Sequence, residues 1–170
     1  MGYHYGDFLG LGRNNREMTR TPYDTVMVSG GFDPIHIGHV RMIQDAAREF
    51  GNVIVAVNSD DWLLRKKGYV FMPWEERAEI VRAITGVTKV VAFDDSDNTA
   101  CDAIRKHRPT YFANGGDRTT DNTPEQDVCQ ELDIEMVWGV GGGKIQSSSD
   151  LVNDSSGHLL DKKQNWPNGV

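Results

Sequence analysis

Positive charge, cysteine and long apolar runs are all scarce in this 170-residue chain. Its 18 Lys and Arg are outnumbered by 25 Asp and Glu, giving a formal net charge of −7. Proteins that coat nucleic acid or anionic membrane carry the opposite excess on one face, so neither is an expected partner. Only two cysteines occur, Cys101 and Cys129, with no CxxC and no metal-ligand spacing. They read as reduced thiols of a reducing compartment. No stretch approaches the roughly 20 apolar residues of a bilayer-spanning helix, and the first residues lack the apolar core of a secretory signal. The expectation is a cytoplasmic globule. A chain of this length is one domain's worth and can bury a core without disulfides or metals.

Between two irregular ends the pattern alternates. Residues 1–24 read as an N-terminal extension without sustained apolar period, residues 25–153 as the domain, and residues 154–170 as a flexible tail of Ser-Ser-Gly and Lys-Lys-Gln-Asn-Trp-Pro-Asn-Gly character. Short β-branched runs predict strands at Thr25–Ser29, Val53–Val57, Lys89–Phe93, Thr110–Ala113 and Ile134–Trp138, buried on both faces. Helical spacing predicts helices at His39–Phe50, Pro73–Ile84, Ala100–Lys106 and Pro124–Leu132, with a last one starting in the serine run Ser147–Ser149. Strand and helix in alternation imply an α/β, Rossmann-like, doubly wound parallel sheet of about five strands. Ligands of such sheets lie at the carboxyl ends of the strands, near the point where strand order reverses.

Unusual residues cluster at those ends. The first strand runs into Gly30-Gly31-Phe32-Asp33-Pro34 and then His36-Ile37-Gly38-His39 at a helix start. Glycines let the backbone approach a ligand, a helix N-terminus is an anion site, and two histidines flanking Gly38 can donate to one phosphate. After the second strand comes a loop with Arg65, Lys66 and Lys67, able to neutralise a triphosphate and an incoming phosphate. After the fourth come Asn114, Gly115, Gly116 and Asp117; after the fifth, the glycines 139 and 141–143 lead into Lys144 and the serines Ser147, Ser148 and Ser149. Serines at a helix start cap it and, with the N–H groups there, can grip phosphates.

Gly30 to His39 resembles the HxGH signature of the cytidylyltransferase-like nucleotidyltransferase superfamily, and the resemblance extends over roughly Thr25 to Val152. Within it the chain is most similar to glycerol-3-phosphate cytidylyltransferases and to the heptose 1-phosphate adenylyltransferase domain. Val55 to Asp60, Lys67-Gly68 and Pro73 to Arg77 are close to the latter in wording and spacing. Phe32 to His36 also resembles pantetheine-phosphate and nicotinamide-mononucleotide adenylyltransferases. The HIGH motif of class I aminoacyl-tRNA synthetases is set aside, because the chain is too short for an anticodon-binding domain. The resemblance implies that a lysine of the 66–67 pair touches the phosphates: spacing from Asp60 points to Lys66, the Lys-Gly pair to Lys67. It implies that Arg77 binds the acceptor phosphate, with Arg65 beside it. Asn114 stands where the heptose branch has lysine, and Gly142 where the other branch has arginine.

The expected reaction is attack by an acceptor phosphate on the α-phosphorus of ATP or CTP, with pyrophosphate leaving. His36 and His39 serve the α-phosphate, a lysine of the 66–67 pair bridges donor and acceptor, and Ser147–Ser149 with Lys144 hold the leaving group. Mg²⁺ is expected with the triphosphate, and Asp33 either touches it or fixes its loop. The partners are thus a nucleoside triphosphate and a small phosphorylated substrate, and the resemblance implies a homodimer. The rival reading is a catalytically idle nucleotide-binding or sensor module.

Overall fold

The computed structural model describes residues 21–115, 123–143 and 146–161. Five strands, β1 (Thr25–Gly30), β2 (Asn52–Val57), β3 (Val87–Val91), β4 (Tyr111–Gly115) and β5 (Glu135–Val140), form one sheet in the order β3-β2-β1-β4-β5. Every neighbouring pair is parallel. The helices are α1 (Ile37–Phe50), α2 (Asp60–Lys67), α3 (Trp74–Arg82), α4 (Cys101–His107), α5 (Gln126–Glu131) and α6 (Ser148–Asp161).

The strand alternation divides the core into two layers. Val26 and Val28 of β1, Val53, Val55 and Val57 of β2, and Tyr111 and Ala113 of β4 face α1 and α3, packing with Ile43, Ala46 and Val81. Met27, Ile54, Ala56 and Phe112 point the other way, onto Ala103 and Ile104 of α4 and Val128 and Cys129 of α5. Helices on both faces make the central residues of β1, β2 and β4 apolar, as a doubly covered sheet requires. The edge strands depart from the expected two-faced burial. Thr88 and Lys89 of β3 are exposed, as is Trp138 of β5, because an edge strand has a neighbour on one side only.

Two segments are more helical than expected. The basic stretch after β2 is helix α2: Ser59 accepts the Trp62 N–H at 3.0 Å as N-cap, Asp60 and Asp61 fill the first turn, Arg65 to Lys67 the last, and Gly68 ends it at φ 83°. Acid-first, base-last order matches the helix dipole, and the αL glycine is a helix terminator. At the other end of the chain, α6 continues to Asp161, past the expected boundary at residue 153. Once Ser147 accepts the Asp150 N–H at the first turn, propagation is easier than nucleation, and the polar run carries on as helix. Among the described residues no helix is long and apolar enough to cross a membrane.

Sheet order sets where a ligand can enter. The chain steps from β1 to β2 to β3 in one direction and then returns to place β4 on the other side of β1. β1 pairs with β2 along its whole length, to Gly30–Val57, but with β4 only at Val26 and Met27. The carboxyl ends of β1 and β4 therefore part, and a crevice opens at the topological switch point. Helix α1 leans against its far wall so closely that a Cβ on Gly141 would lie 2.7 Å from Met42 Cα, at a φ of 87°. Gly141→Ala is therefore expected to lower stability by about 1–3 kcal/mol through overpacking, read as a lower urea midpoint.

Candidate active site

The HxGH sequence folds as a helix N-terminus capped by its own histidines. His36 is the N-cap of α1, at φ −145° and ψ 172°, and its Nδ1 accepts the Gly38 N–H at 3.1 Å. His39, three residues on, returns the favour by accepting the His36 N–H at Nδ1, 3.3 Å away. This is the reciprocal geometry of a capping box, with imidazoles in place of hydroxyl and carboxylate. Each Nδ1 is an acceptor, which leaves Nε2 as the donor nitrogen of each ring. The rings stack with centroids 3.7 Å apart, and Phe32 meets His39 edge-on at 4.9 Å. Burial first, then the neighbouring charges of His36 and Lys67, bring the His39 pKa from 6.5 down to about 3. His39 is thus a neutral donor.

Both rings line a cleft of ≈ 340 Å³ in the β1/β4 crevice. Ser29, Gly30 and Phe32 form its floor, and Gly38 and Met42 of α1 stand beside the histidines. Gly115 closes one side, where a Cβ would be 2.7 Å from Met42 Sδ. The far wall is Val140 to Gly143, and Gln146 to Ser149 lead into α6. The N-termini of α1 and α6 therefore meet across one space. Ser148 Oγ ties them by donating to Pro34 O at 2.9 Å.

Lys67 is the cation of the 66–67 pair that reaches this cleft. Its Nζ donates to Asp33 O at 2.8 Å, and burial lowers its pKa while Asp33 pulls the other way. Lys66 is exposed and lies off the lining. Gly68, as C-cap, fixes which turn of α2 Lys67 occupies, so the lysine marked by the Lys-Gly criterion is the one on the cleft.

Four other expected contacts lie elsewhere. Arg77 does not face an acceptor phosphate: it is 0% exposed, and its guanidinium donates to Met72 O at 2.9 Å, Gly31 O at 2.7 Å, Asn58 O at 2.8 Å and the Asp60 carboxylate. Arg65 is turned to the loop after β3, where it donates to Asp95 O at 2.8 Å. Gly31 packs on α2, where a Cβ would meet Leu63 Cδ2 at 2.9 Å. Asp33 fixes its loop: the fully buried carboxylate accepts the N–H groups of Phe71 and Met72, each at 2.7 Å. Gly116, Asp117 and Lys144 lie outside the described residues.

Among the described residues no three His, Cys, Asp or Glu side chains gather as a metal site. With Asp33 committed to backbone, the described residues offer no ready seat for Mg²⁺. They fit a magnesium ion as the companion of a triphosphate, held mainly by phosphate oxygens and water.

Two sets of residues escaped sequence reasoning. Ser29, Met42 and Gln146 line the cleft without any motif to mark them. Asp95 accepts from Asn58 Nδ2 at 3.1 Å, from Ser59 N and Oγ at 2.7 Å each, and from Arg65, joining the loop after β3 to the start of α2. Its position directly after a strand was the available signal.

Two stacked histidines, a half-buried lysine and two helix N-termini thus meet at the switch point of a parallel α/β sheet. The match to known families makes this specific: residues 27–146 fit the model of the cytidylyltransferase-like family, to which the chain belongs. It is 32% identical over 144 residues to bifunctional protein HldE of Gluconobacter oxydans, covering 84% of this chain and 28% of that one. Against HldE of Geobacter sulfurreducens it is 36% identical over 122 residues, 69% of this chain and 24% of the other. The chain thus spans about a quarter of the curated relatives it matches. Among solved structures, a lipopolysaccharide core biosynthesis protein from Thermoplasma volcanium superposes with a TM-score of 0.56 at 17% identity, over 68% of this chain and 94% of that one. A bifunctional NMN adenylyltransferase/ADP ribose pyrophosphatase from Francisella tularensis gives 0.57 at 15% identity, over 78% and 42%. At such identities these two share the fold.

Two measurements check the electrostatics. Arg77→Met strands a carboxylate and three carbonyls and is expected to cost about 3–5 kcal/mol in urea denaturation. For His39, the folded pKa of about 3 lies below the unfolded 6.5. Between these values the unfolded chain binds the extra proton. Stability is therefore full above pH 6.5 and falls as pH drops toward 3, and His39→Asn should show a shallower acid slope in the same window.

Proposed function

We propose that the domain transfers AMP or CMP from a nucleoside triphosphate to a small phosphate monoester, a sugar phosphate or glycerol 3-phosphate, with release of pyrophosphate. The observation that carries this reading is the convergence of His36, His39 and Lys67 with the N-termini of α1 and α6 on one cleft. Every group there donates hydrogen bonds or carries positive potential, and none is a nucleophile poised by a base. That suits a reaction in which the substrate brings its own nucleophile. A phosphate monoester oxygen attacks the α-phosphorus, the bond to the β-phosphate bridging oxygen breaks, and the electron pair leaves on pyrophosphate. The protein aligns the two phosphates and stabilises charge where it develops.

In this reading the Nε2–H donors of His36 and His39 serve the α-phosphate. Lys67 lies between donor and acceptor phosphates. The backbone N–H groups and hydroxyls at Ser147–Ser149 take the β- and γ-phosphates, as a helix N-terminus favours. Lys144 would add its charge to the leaving group. Magnesium enters with the triphosphate. The resemblance to the heptose branch, and the HldE proteins among the relatives, favour ATP and a sugar phosphate over CTP and glycerol 3-phosphate. An association of two copies remains part of the proposal.

Pyrophosphate release, followed with ATP and CTP against heptose 1-phosphate, glycerol 3-phosphate, phosphocholine and phosphopantetheine, tests the reading. Turnover with none of these pairs favours an idle binding module. With the active pair, His39→Ala is expected to lower kcat about 100-fold or more. Lys67→Ala is expected to be severe and Lys66→Ala mild. Equal, small losses at both lysines would show that α2 presents only a charged surface.

A further inference from the structure

The three serines at the start of α6 use their hydroxyls differently. Ser147 Oγ accepts the Asp150 N–H at 3.4 Å as the cap of the helix, and an accepting hydroxyl retains its own hydrogen. Ser149 is exposed and lines the cleft. Ser148 is buried, and it donates to Pro34 O at 2.9 Å, on a segment 114 residues earlier in the chain. A hydroxyl has a single hydrogen to donate. In this arrangement Ser148 has none left for a phosphate.

Pro34 is a fixed post. The carboxylate of the preceding Asp33 is held by the N–H groups of Phe71 and Met72, and the Asp33 carbonyl takes Lys67 Nζ at 2.8 Å. His36, two residues on, is the cap of α1. Helix α6 is the looser party. Of its residues 148–155 only Ser148 is buried. On the approach from β5, a Cβ on Gly142 or Gly143 would meet nothing within 4 Å. The Ser148–Pro34 bond therefore places α6 against the β1–α1 turn, and with it sets the spacing of the two helix N-termini that line the cleft.

Taking the nucleotidyl-transfer reading of the cleft as given, we infer that Ser148 is a positioning residue and not a phosphate ligand. Its bond to Pro34 sets the gap between an α-phosphate half-site at α1 and a pyrophosphate half-site at α6 to the span of one triphosphate. A ligand that fills both half-sites gains an effective concentration from that match and loses it when the spacing drifts. A ligand that fills one half-site is indifferent to the spacing. Attack on the α-phosphorus needs the same match, because the leaving oxygen must stay in line with the incoming one.

Fragments of the triphosphate separate this role from direct contact. ATP with AMP, CTP with CMP, and inorganic pyrophosphate, each with Mg²⁺, are titrated calorimetrically into the full chain as wild type, Ser148→Ala and Ser148→Thr, with urea denaturation of each. Ser148→Ala should weaken the tighter-binding triphosphate about tenfold or more, while its monophosphate and pyrophosphate stay within about twofold of wild type. Ser148→Thr keeps the hydroxyl and should bring the triphosphate back to within about threefold. If threonine does not fold at this buried position, the fragment comparison in Ser148→Ala decides alone. Pyrophosphate weakened in step with triphosphate would make Ser148 a direct ligand and overturn the inference. Unchanged triphosphate binding in Ser148→Ala, equal loss of all ligands, loss of the fold, a folded Ser148→Thr as weak as Ser148→Ala, or no binding of triphosphate or of either fragment to wild type would overturn it as well. Pyrophosphate release is followed in parallel, and kcat in Ser148→Ala should fall about tenfold with the KM for the acceptor unchanged. Selective weakening of triphosphate without turnover in wild type would sink the transfer reading and leave the role of Ser148 standing; turnover and binding both indifferent to Ser148→Ala would do the reverse.

Discussion

The buried guanidinium of Arg77 is the interaction on which the geometry of the cleft depends. It is rooted in α3 and reaches the Gly31 carbonyl just past β1, the Asn58 carbonyl just past β2, the Met72 carbonyl before α3 and the Asp60 carboxylate of α2. A cation buried without partners costs several kcal/mol, so it holds these acceptors wherever its planar fork can meet them. Lysine could not, since its ammonium lacks that spread of donors. Arg77 thereby sets the distance between the end of β1, where the histidines begin, and the start of α2, whose last turn carries Lys67. A residue whose family role points to ligand contact here governs the site from behind.

Around that brace, backbone amides are spent on side chains in a consistent direction. Asp33 takes the N–H groups of Phe71 and Met72, Asp95 takes that of Ser59, and His36 takes that of Gly38. Each bond ends a strand or starts a helix at the carboxyl edge of the sheet. Loops that would otherwise be loose become fixed without apolar burial. The same arrangement explains why His39 is neutral: its Nδ1 is already an acceptor, and protonation would break a cap as well as place charge beside Lys67.

Much of this was legible in the residues. The β-branched runs located all five strands, and the rule that ligands sit past strand ends located the cleft. Strand edges moved by only a few residues because hydrophobic period, not the last hydrogen bond, carries the signal. What could not be read was which polar side chains turn inward. Nothing in Pro73 to Arg77 distinguishes an arginine facing solvent from one under a loop; that depends on three carbonyls from distant segments. Helix α2 is a different case: Ser59, Asp60, Asp61 and Gly68 are a complete set of start and stop signals, but the short basic run between them reads as loop when weighed by charge alone. Lys66 and Lys67 are adjacent and about 100° apart around the helix, so only the placement of the helix decides which reaches the cleft.

The placement of charge also reconciles an acidic chain with an anionic ligand. Among the described residues the cleft gathers backbone N–H groups, imidazoles and Lys67, while the carboxylate of Asp33 is turned away to backbone amides. Dipoles and neutral donors can be buried in an empty site at little cost, whereas a cluster of bare cations would repel itself. An anion entering the cleft acts on His39 in the opposite sense to burial and favours its charged form. A chain of net charge −7 can therefore offer the proposed anion a set of donors without a bare cluster of cations.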